Sequence, residues 1–148
     1  MTERFETFTV LINRISRNIR KIKNREMAEY QLRSAHISCL YYLYAAQGLT
    51  ATDLCERCEE DKATISRALD HLENNGYLFR ESGSVKHYKS PLTLTEQGLA
   101  VAKKIAGKID GVLDEISGSL TEEERVAFYR SLTIISDSLE AVSKNCEI

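Results

Sequence analysis

The fold turns on one stretch, Asp61-Lys62-Ala63-Thr64-Ile65-Ser66-Arg67-Ala68-Leu69-Asp70-His71-Leu72-Glu73-Asn74-Asn75-Gly76. Asp61 is a helix N-cap type and Asn75-Gly76 a terminator, which predicts a helix over 62–75. Ile65, Ala68, Leu69 and Leu72 recur at helical spacing and form one apolar stripe. Lys62, Ala63, Thr64, Ser66, Arg67 and His71 lie off that stripe, opposed only by Asp61 and Asp70. Close approach to base edges in a DNA major groove asks for such a face: short hydroxyl side chains, a long bidentate donor and no bulky apolar group. Arg67 is the strongest single candidate for that donor. The same residues would also serve as a plain solvated surface, so the neighbouring elements have to decide.

On the N-terminal side, Thr50 is placed to cap a short helix over 51–58. Ser34 is placed to cap another over 35–47, with Ile37, Leu40, Tyr41 and Tyr44 on one side and Gly48 closing it. Three short helices with tight joints predict helix-turn-helix packing. On the C-terminal side the period changes. Residues 77–82 and 87–95 read as two strands joined by Gly83-Ser84-Val85-Lys86, and Pro91, which has no N–H to give a ladder, puts the second strand at an edge or interrupts it. Lys86, His87 and Lys89 near the tip supply a second cationic probe, able to reach backbone or minor groove beside the first. Helix N-termini present free N–H groups to anions, which adds Ser34, Thr50 and Thr52 as candidate phosphate contacts.

Further out, Phe5, Phe8, Ile12, Ile15, Ile19 and Ile22 form a helical seam within a helix running from about Thr2 to about Met27, whose other faces carry Arg14, Arg17, Arg20, Lys21, Lys23 and Arg25. From Glu96 the helical period returns with Leu99, Ala102, Ile105 or Ala106, Ile109, Val112 and Ile116 and breaks at Gly118. Thr121 with Glu124 then forms a capping box for a last helix bearing Phe128, Leu132, Ile135, Leu139 and Val142. These seams exceed what a winged core of ~60 residues covers, so the surplus is expected to bury against a second copy. A two-fold homodimer is the simplest closure, and it would set two reading helices roughly 34–36 Å apart on a pseudo-palindromic operator in double-stranded DNA. The expected architecture is mainly α with a small β-hairpin wing: an N-terminal dimerisation helix (1–33), a winged helix-turn-helix (34–95) and C-terminal dimerisation helices (96–148), intertwined as one domain.

The bulk numbers agree. The chain has 148 residues, 43% hydrophobic and 28% charged, with no Trp and one Pro, which describes an ordinary globular protein. The net charge of −2 conceals an asymmetry: residues 1–109 hold 17 Lys and Arg against 13 Asp and Glu, and residues 110–148 hold 3 against 9, giving +4 and −6. An acidic C-terminal segment and a basic remainder direct one face toward phosphate. No apolar run approaches the ~20 residues of a membrane span, and the N-terminus shows no signal-peptide stretch, so the cytoplasm is the expected compartment.

Cys39, Cys55, Cys58 and Cys146 read as reduced thiols. Cys55-x-x-Cys58 fits core thiols beneath the reading helix, with oxidant sensing by one of them as the alternative. No second Cys or His pair completes a tetrahedral site, so neither metal nor cofactor is expected. His36, Cys39 and Tyr42 fall on successive turns of the second helix and could face a small aromatic effector, although core packing is the plainer account of them. No phosphate-cradling Gly loop, G-x-S-x-G or H-E-x-x-H occurs, Glu122-Glu123-Glu124 sits where acidic side chains favour a helix dipole, and an enzyme is not expected.

Leu49-Thr50-Ala51-Thr52-Asp53-Leu54, Asp61 to Arg67, and Leu72-Glu73-Asn74-Asn75-Gly76-Tyr77-Leu78 together resemble the helix-turn-helix of the multiple antibiotic resistance regulator (MarR) family. Leu92-Thr93-Leu94-Thr95-Glu96-Gln97-Gly98 resembles that family's strand-to-helix junction, and the order of helices matches over nearly the whole chain. The resemblance implies an obligate dimer held by N- and C-terminal helices, reading DNA with the helix from Lys62 and a wing from Gly83 to Lys89. It also implies a repressor that lets go of DNA when a phenolic or similar effector lodges between the dimer helices and the winged region, or when an oxidant acts. In one respect the chain departs from the pattern: Lys86-His87-Tyr88 stands where many members carry an Asp-Arg-Arg run, so a minor-groove arginine does not carry over. The rival reading from another class is a winged-helix protein-interaction module, in which the same polar face docks a protein.

Overall fold

The computed structural model describes residues 2–81 and 89–145, with side chains except those of residues 2, 3, 5 and 6. The elements are α1 (Thr2–Glu26), a single 3-10 turn (Ala28–Tyr30), α2 (Ser34–Ala45), α3 (Ala51–Cys58), α4 (Lys62–Asn74), β1 (Leu78–Arg80), β2 (Leu92–Leu94), α5 (Glu96–Ser117) and α6 (Glu122–Asn145). The mainly helical architecture with a two-stranded antiparallel hairpin is the one the sequence predicts.

The caps explain most of the boundaries. Thr50 and Asp53 satisfy one another at the start of α3: the Asp53 N–H donates to Thr50 Oγ1 at 3.3 Å and the Thr50 N–H donates to Asp53 Oδ2 at 2.9 Å. Thr121 and Glu124 repeat the arrangement at α6, at 2.9 and 3.2 Å. The start of α2 differs from expectation. Arg33, not Ser34, takes the cap position, because the Arg33 N–H is met by His36 Nδ1 at 2.9 Å and the Ser34 N–H by Asn24 Oδ1 of α1 at 2.8 Å. At its other end α2 stops at Ala45, two residues before the expected Gln47.

The strands are shorter than 77–82 and 87–95. They pair Leu78 with Leu94, Phe79 with Thr93 and Arg80 with Leu92. Pro91 is the reason on the β2 side: it offers only its carbonyl, which accepts from the Glu81 N–H at 3.3 Å, and regular pairing begins one residue later. The Leu92 N–H reaches the Leu49 carbonyl at 2.9 Å, tying β2 to the joint between α2 and α3. Residues 82–88, the expected turn and wing tip, lie outside the described residues.

The strand-to-helix junction has its own logic. Thr95 Oγ1 donates to the Gly76 carbonyl at 2.5 Å and accepts from the Gly98 N–H at 3.0 Å, so one hydroxyl caps α5 and fastens it to the end of α4. A Cβ built on Gly98 would fall 1.8 Å from the Tyr77 carbonyl oxygen, so only glycine fits there.

The chain falls into two compact units, Met1–Lys108 and Ile109–Ile148, dividing within α5. The first has a continuous core in which Leu40, Leu54, Ile65, Leu69, Leu72 and Leu78 are at most 2% exposed. Lys104 Nζ meets the Tyr30 hydroxyl at 3.0 Å and Lys108 Nζ meets a Glu26 carboxylate oxygen at 3.2 Å, holding the first part of α5 to the end of α1. Within this unit the seam of α1 is uncovered, with Phe8, Leu11, Ile12, Ile15 and Ile19 all exposed. In the second unit α6 buries no residue at all and leaves Phe128, Tyr129, Ile134, Ile135, Leu139 and Val142 exposed. Among the described residues no helix is long and apolar enough to cross a membrane.

Candidate nucleic-acid interface

The two faces of α4 separate as their chemistry requires. Ile65, Ala68, Leu69 and Leu72 are buried against α2 and α3. Lys62, Ala63, Ser66 and Arg67 are exposed, and Thr64 is half-buried. Arg67 makes one long contact, Nη2 to Thr64 Oγ1 at 3.4 Å, which leaves its guanidinium fork available to a partner.

The acids that oppose this cationic face are already engaged within the fold. Asp61 Oδ1 accepts the Thr64 N–H at 2.6 Å as the α4 cap, and that hydrogen bond holds the Asp61 carboxyl below its ordinary range. Asp70 is paired with Arg80, Nη2 to Oδ1 at 3.7 Å, and Glu73 binds the same guanidinium, Nη1 to Oε2 at 3.1 Å. The Arg80 side chain is only 8% exposed, so β1 is pinned to the back of α4 by a nearly buried cation between two carboxylates. Sequence reasoning missed this residue. Its signal was Asp70 and Glu73, three positions apart on α4 beside a strand with a single Arg.

The remaining candidates divide. Thr52 and Lys89 are exposed, and Thr50 is half-buried with its hydroxyl and N–H committed to Asp53. Ser34 does not offer a free N–H, since Asn24 takes it, which removes the basis on which it was named as a phosphate contact. His71 is not part of the open face: its ring stacks on His36 at 4.4 Å between centroids, joining α4 to α2. Lys86 and His87 lie outside the described residues.

The three residues expected around an effector do not form a common lining. Cys39 has no exposed surface, so it offers a ligand nothing to touch. His36 is occupied by His71 on its face and by the Arg33 N–H at Nδ1. Burial, then the neighbouring His71 and Arg33, push its pKa down to about 4, so the ring is neutral at neutral pH. Tyr42 packs edge-on against Tyr41. An open concavity of about 660 Å³ lies along α6, lined by Glu122, Val126, Arg130 and Ile134 among others.

The thiols also depart from expectation. Leu54 is fully buried beneath α4, but Cys55 and Cys58 are only half-buried. No group of three His, Cys, Asp or Glu among the described residues is arranged to hold a metal ion.

The fold is shared with known proteins. Residues 30–86 match the MarR family model. The uncharacterized HTH-type transcriptional regulator YwoH of Bacillus subtilis is 26% identical over 117 residues, 79% of this chain and 85% of the relative. The Staphylococcus aureus MepR–DNA complex superposes with a TM-score of 0.80 at 23% identity, over 89% of this chain and 97% of that one. A MarR family transcriptional regulator from Silicibacter pomeroyi is 30% identical over 84% of both chains, with a TM-score of 0.73. The family model covers the helix-turn-helix, and the Silicibacter relative extends the likeness over most of the remaining helices; the chain belongs to the MarR family of transcriptional regulators.

Proposed function

We propose that the protein is a homodimeric, sequence-specific binder of double-stranded DNA that represses transcription by occupying its operator. The observation that carries this reading is the outward presentation of Lys62, Ser66 and Arg67 on a helix whose apolar stripe is buried and whose flanking acids are engaged within the fold. A major groove accepts a helix with these side chains, and base edges reward a bidentate donor. The MepR–DNA complex shares the fold, which supports DNA binding here. In this reading Thr52 and Lys89, both exposed, contact the DNA backbone.

Dimerisation follows from the uncovered apolar faces. A 24-residue helix with no buried side chain, such as α6, gains little from propensity alone and needs a partner for its apolar face. The α1 seam makes the same demand, and a second copy meets both. Relief of repression by a small aromatic molecule is the cycle the family likeness supports, and the protein would act in the cytoplasm, where its DNA is. The effector would have to contact surfaces other than Cys39, which is sealed.

Enrichment from a random duplex pool tests the whole reading. The expected product is an inverted repeat whose half-sites are centred about one helical turn, roughly 10 base pairs, apart. Recovery of unrelated sequences, or of none, would contradict it and favour the protein-docking module.

A further inference from the structure

At helical spacing along α4, Ala63, Ser66, Arg67, Asp70 and Asn74 share one side, and all five are exposed. A carboxylate therefore stands among the groups proposed to meet DNA, three residues beyond Arg67. Glu73, also exposed, follows three residues further on. Between Asp61 and Asn74 the chain carries Asp61, Asp70 and Glu73 against Lys62 and Arg67, so by itself the helix with its cap is formally negative. Such a helix opposes a phosphate backbone unless a cation elsewhere in the fold answers its acids. Arg80 supplies that cation from β1. Its Nη2 lies 3.7 Å from Asp70 Oδ1, and its Nη1 donates to Glu73 Oε2 at 3.1 Å. The side chain of Arg80 is 8% exposed, against 60% for Asp70 and 40% for Glu73. The cation is covered while both acids stay open, an arrangement that cancels charge at the surface without offering the guanidinium to a ligand. Pairing with Leu92 across the hairpin and burial of Leu78 fix the strand that carries it.

We propose that Arg80 is a positioning residue for DNA recognition, an internal counter-ion that holds the Asp70 and Glu73 carboxylates and cancels their charge, so that Lys62 and Arg67 set the field a duplex meets. The role rests on the DNA-binding function proposed above. A brace between strand and helix would be served by carboxylates on any side of α4. Here one of the two stands on the same side as Ser66 and Arg67, where an uncancelled charge acts on phosphate directly. Arg80 touches no DNA in this account. It acts through Asp70 and Glu73, and its effect is therefore Coulombic and sensitive to salt.

The test measures affinity for the enriched operator at several potassium chloride concentrations, in the full-length protein and three variants whose fold is checked by circular dichroism. Arg80→Gln should bind roughly 10- to 100-fold more weakly at low salt, because two carboxylates in each copy then face the phosphates, and the deficit should shrink as salt rises. Arg80→Lys keeps the charge without the fork and should stay within about threefold of the wild type. Arg80→Gln combined with Asp70→Asn and Glu73→Gln should regain the lost affinity although both ion pairs are gone. Removing a whole ionic cluster is tolerated better than stranding its members, so this triple variant decides the matter even if Arg80→Gln alone fails to fold: it must bind as the wild type does. A triple variant that stays weak, or a deficit indifferent to salt, would reduce Arg80 to a brace and overturn the proposal. Wild-type affinity in a folded Arg80→Gln protein overturns it too. A wild-type chain that binds no duplex condemns the function proposed above and this role with it, whereas a wild type that binds beside any of the other failures condemns this role alone.

Discussion

Replacing Ile135 and Leu139 together with Asp will convert the protein from a dimer to a monomer at micromolar concentration and abolish operator binding. Both side chains lie on the apolar side of α6, 38% and 52% exposed within the single chain. Burying the remaining part of such a side chain is worth about 1 kcal/mol. Two residues in each of two copies then give about 4 kcal/mol, or roughly a thousandfold in dimer dissociation, before the cost of desolvating four carboxylates. Sedimentation equilibrium measures the shift. Circular dichroism should lose part of the helical signal as well, since α6 has no buried contact of its own to hold it. An unchanged dimer would mean that this face is not the interface.

Arg67→Ala comes second in size. The residue is exposed and its hydrogen bond to Thr64 is long, so the fold should stand and the thermal midpoint should move little. A bidentate contact to a base is worth about 1–3 kcal/mol, and a two-fold complex contains it twice, so operator affinity should fall by about 2–6 kcal/mol, roughly 30-fold or more. Discrimination against a substituted half-site should collapse at the base that Arg67 reads and persist elsewhere. Arg67→Lys should restore charge but not discrimination, because an ammonium is a point charge without a fork. Equal affinity of Arg67→Ala for the enriched operator would remove this side chain from the reading role.

The elements that sequence made legible are those whose signals are local. Asp61, Thr50 and Thr121 each cap the helix they were expected to cap, because an N-cap is a bond between residues three apart in sequence. The stripe of Ile65, Ala68, Leu69 and Leu72 is buried because periodicity alone assigns it a face. The signals that were missed are tertiary. Ser34 looked like a cap, and only the distant Asn24, ten residues away on another helix, shows why Arg33 takes that place. His71 looked like part of an open face until His36 of α2 came to stack on it. Arg80 gave no local sign of nearly complete burial between Asp70 and Glu73. Lys86 and His87, the expected wing-tip contacts, lie outside the described residues.

The central claim is that the Lys62, Ser66 and Arg67 face of α4 meets the phosphates and base edges of a duplex, and the salt dependence of binding tests it most directly. Fluorescence anisotropy with the enriched operator across a range of potassium chloride should give a straight line of log affinity against log salt. Its slope should be about −0.9 for each phosphate neutralised, and it should be shallower for Lys62→Ala. Affinity that ignores salt, or no affinity for any duplex at low salt, would contradict the account.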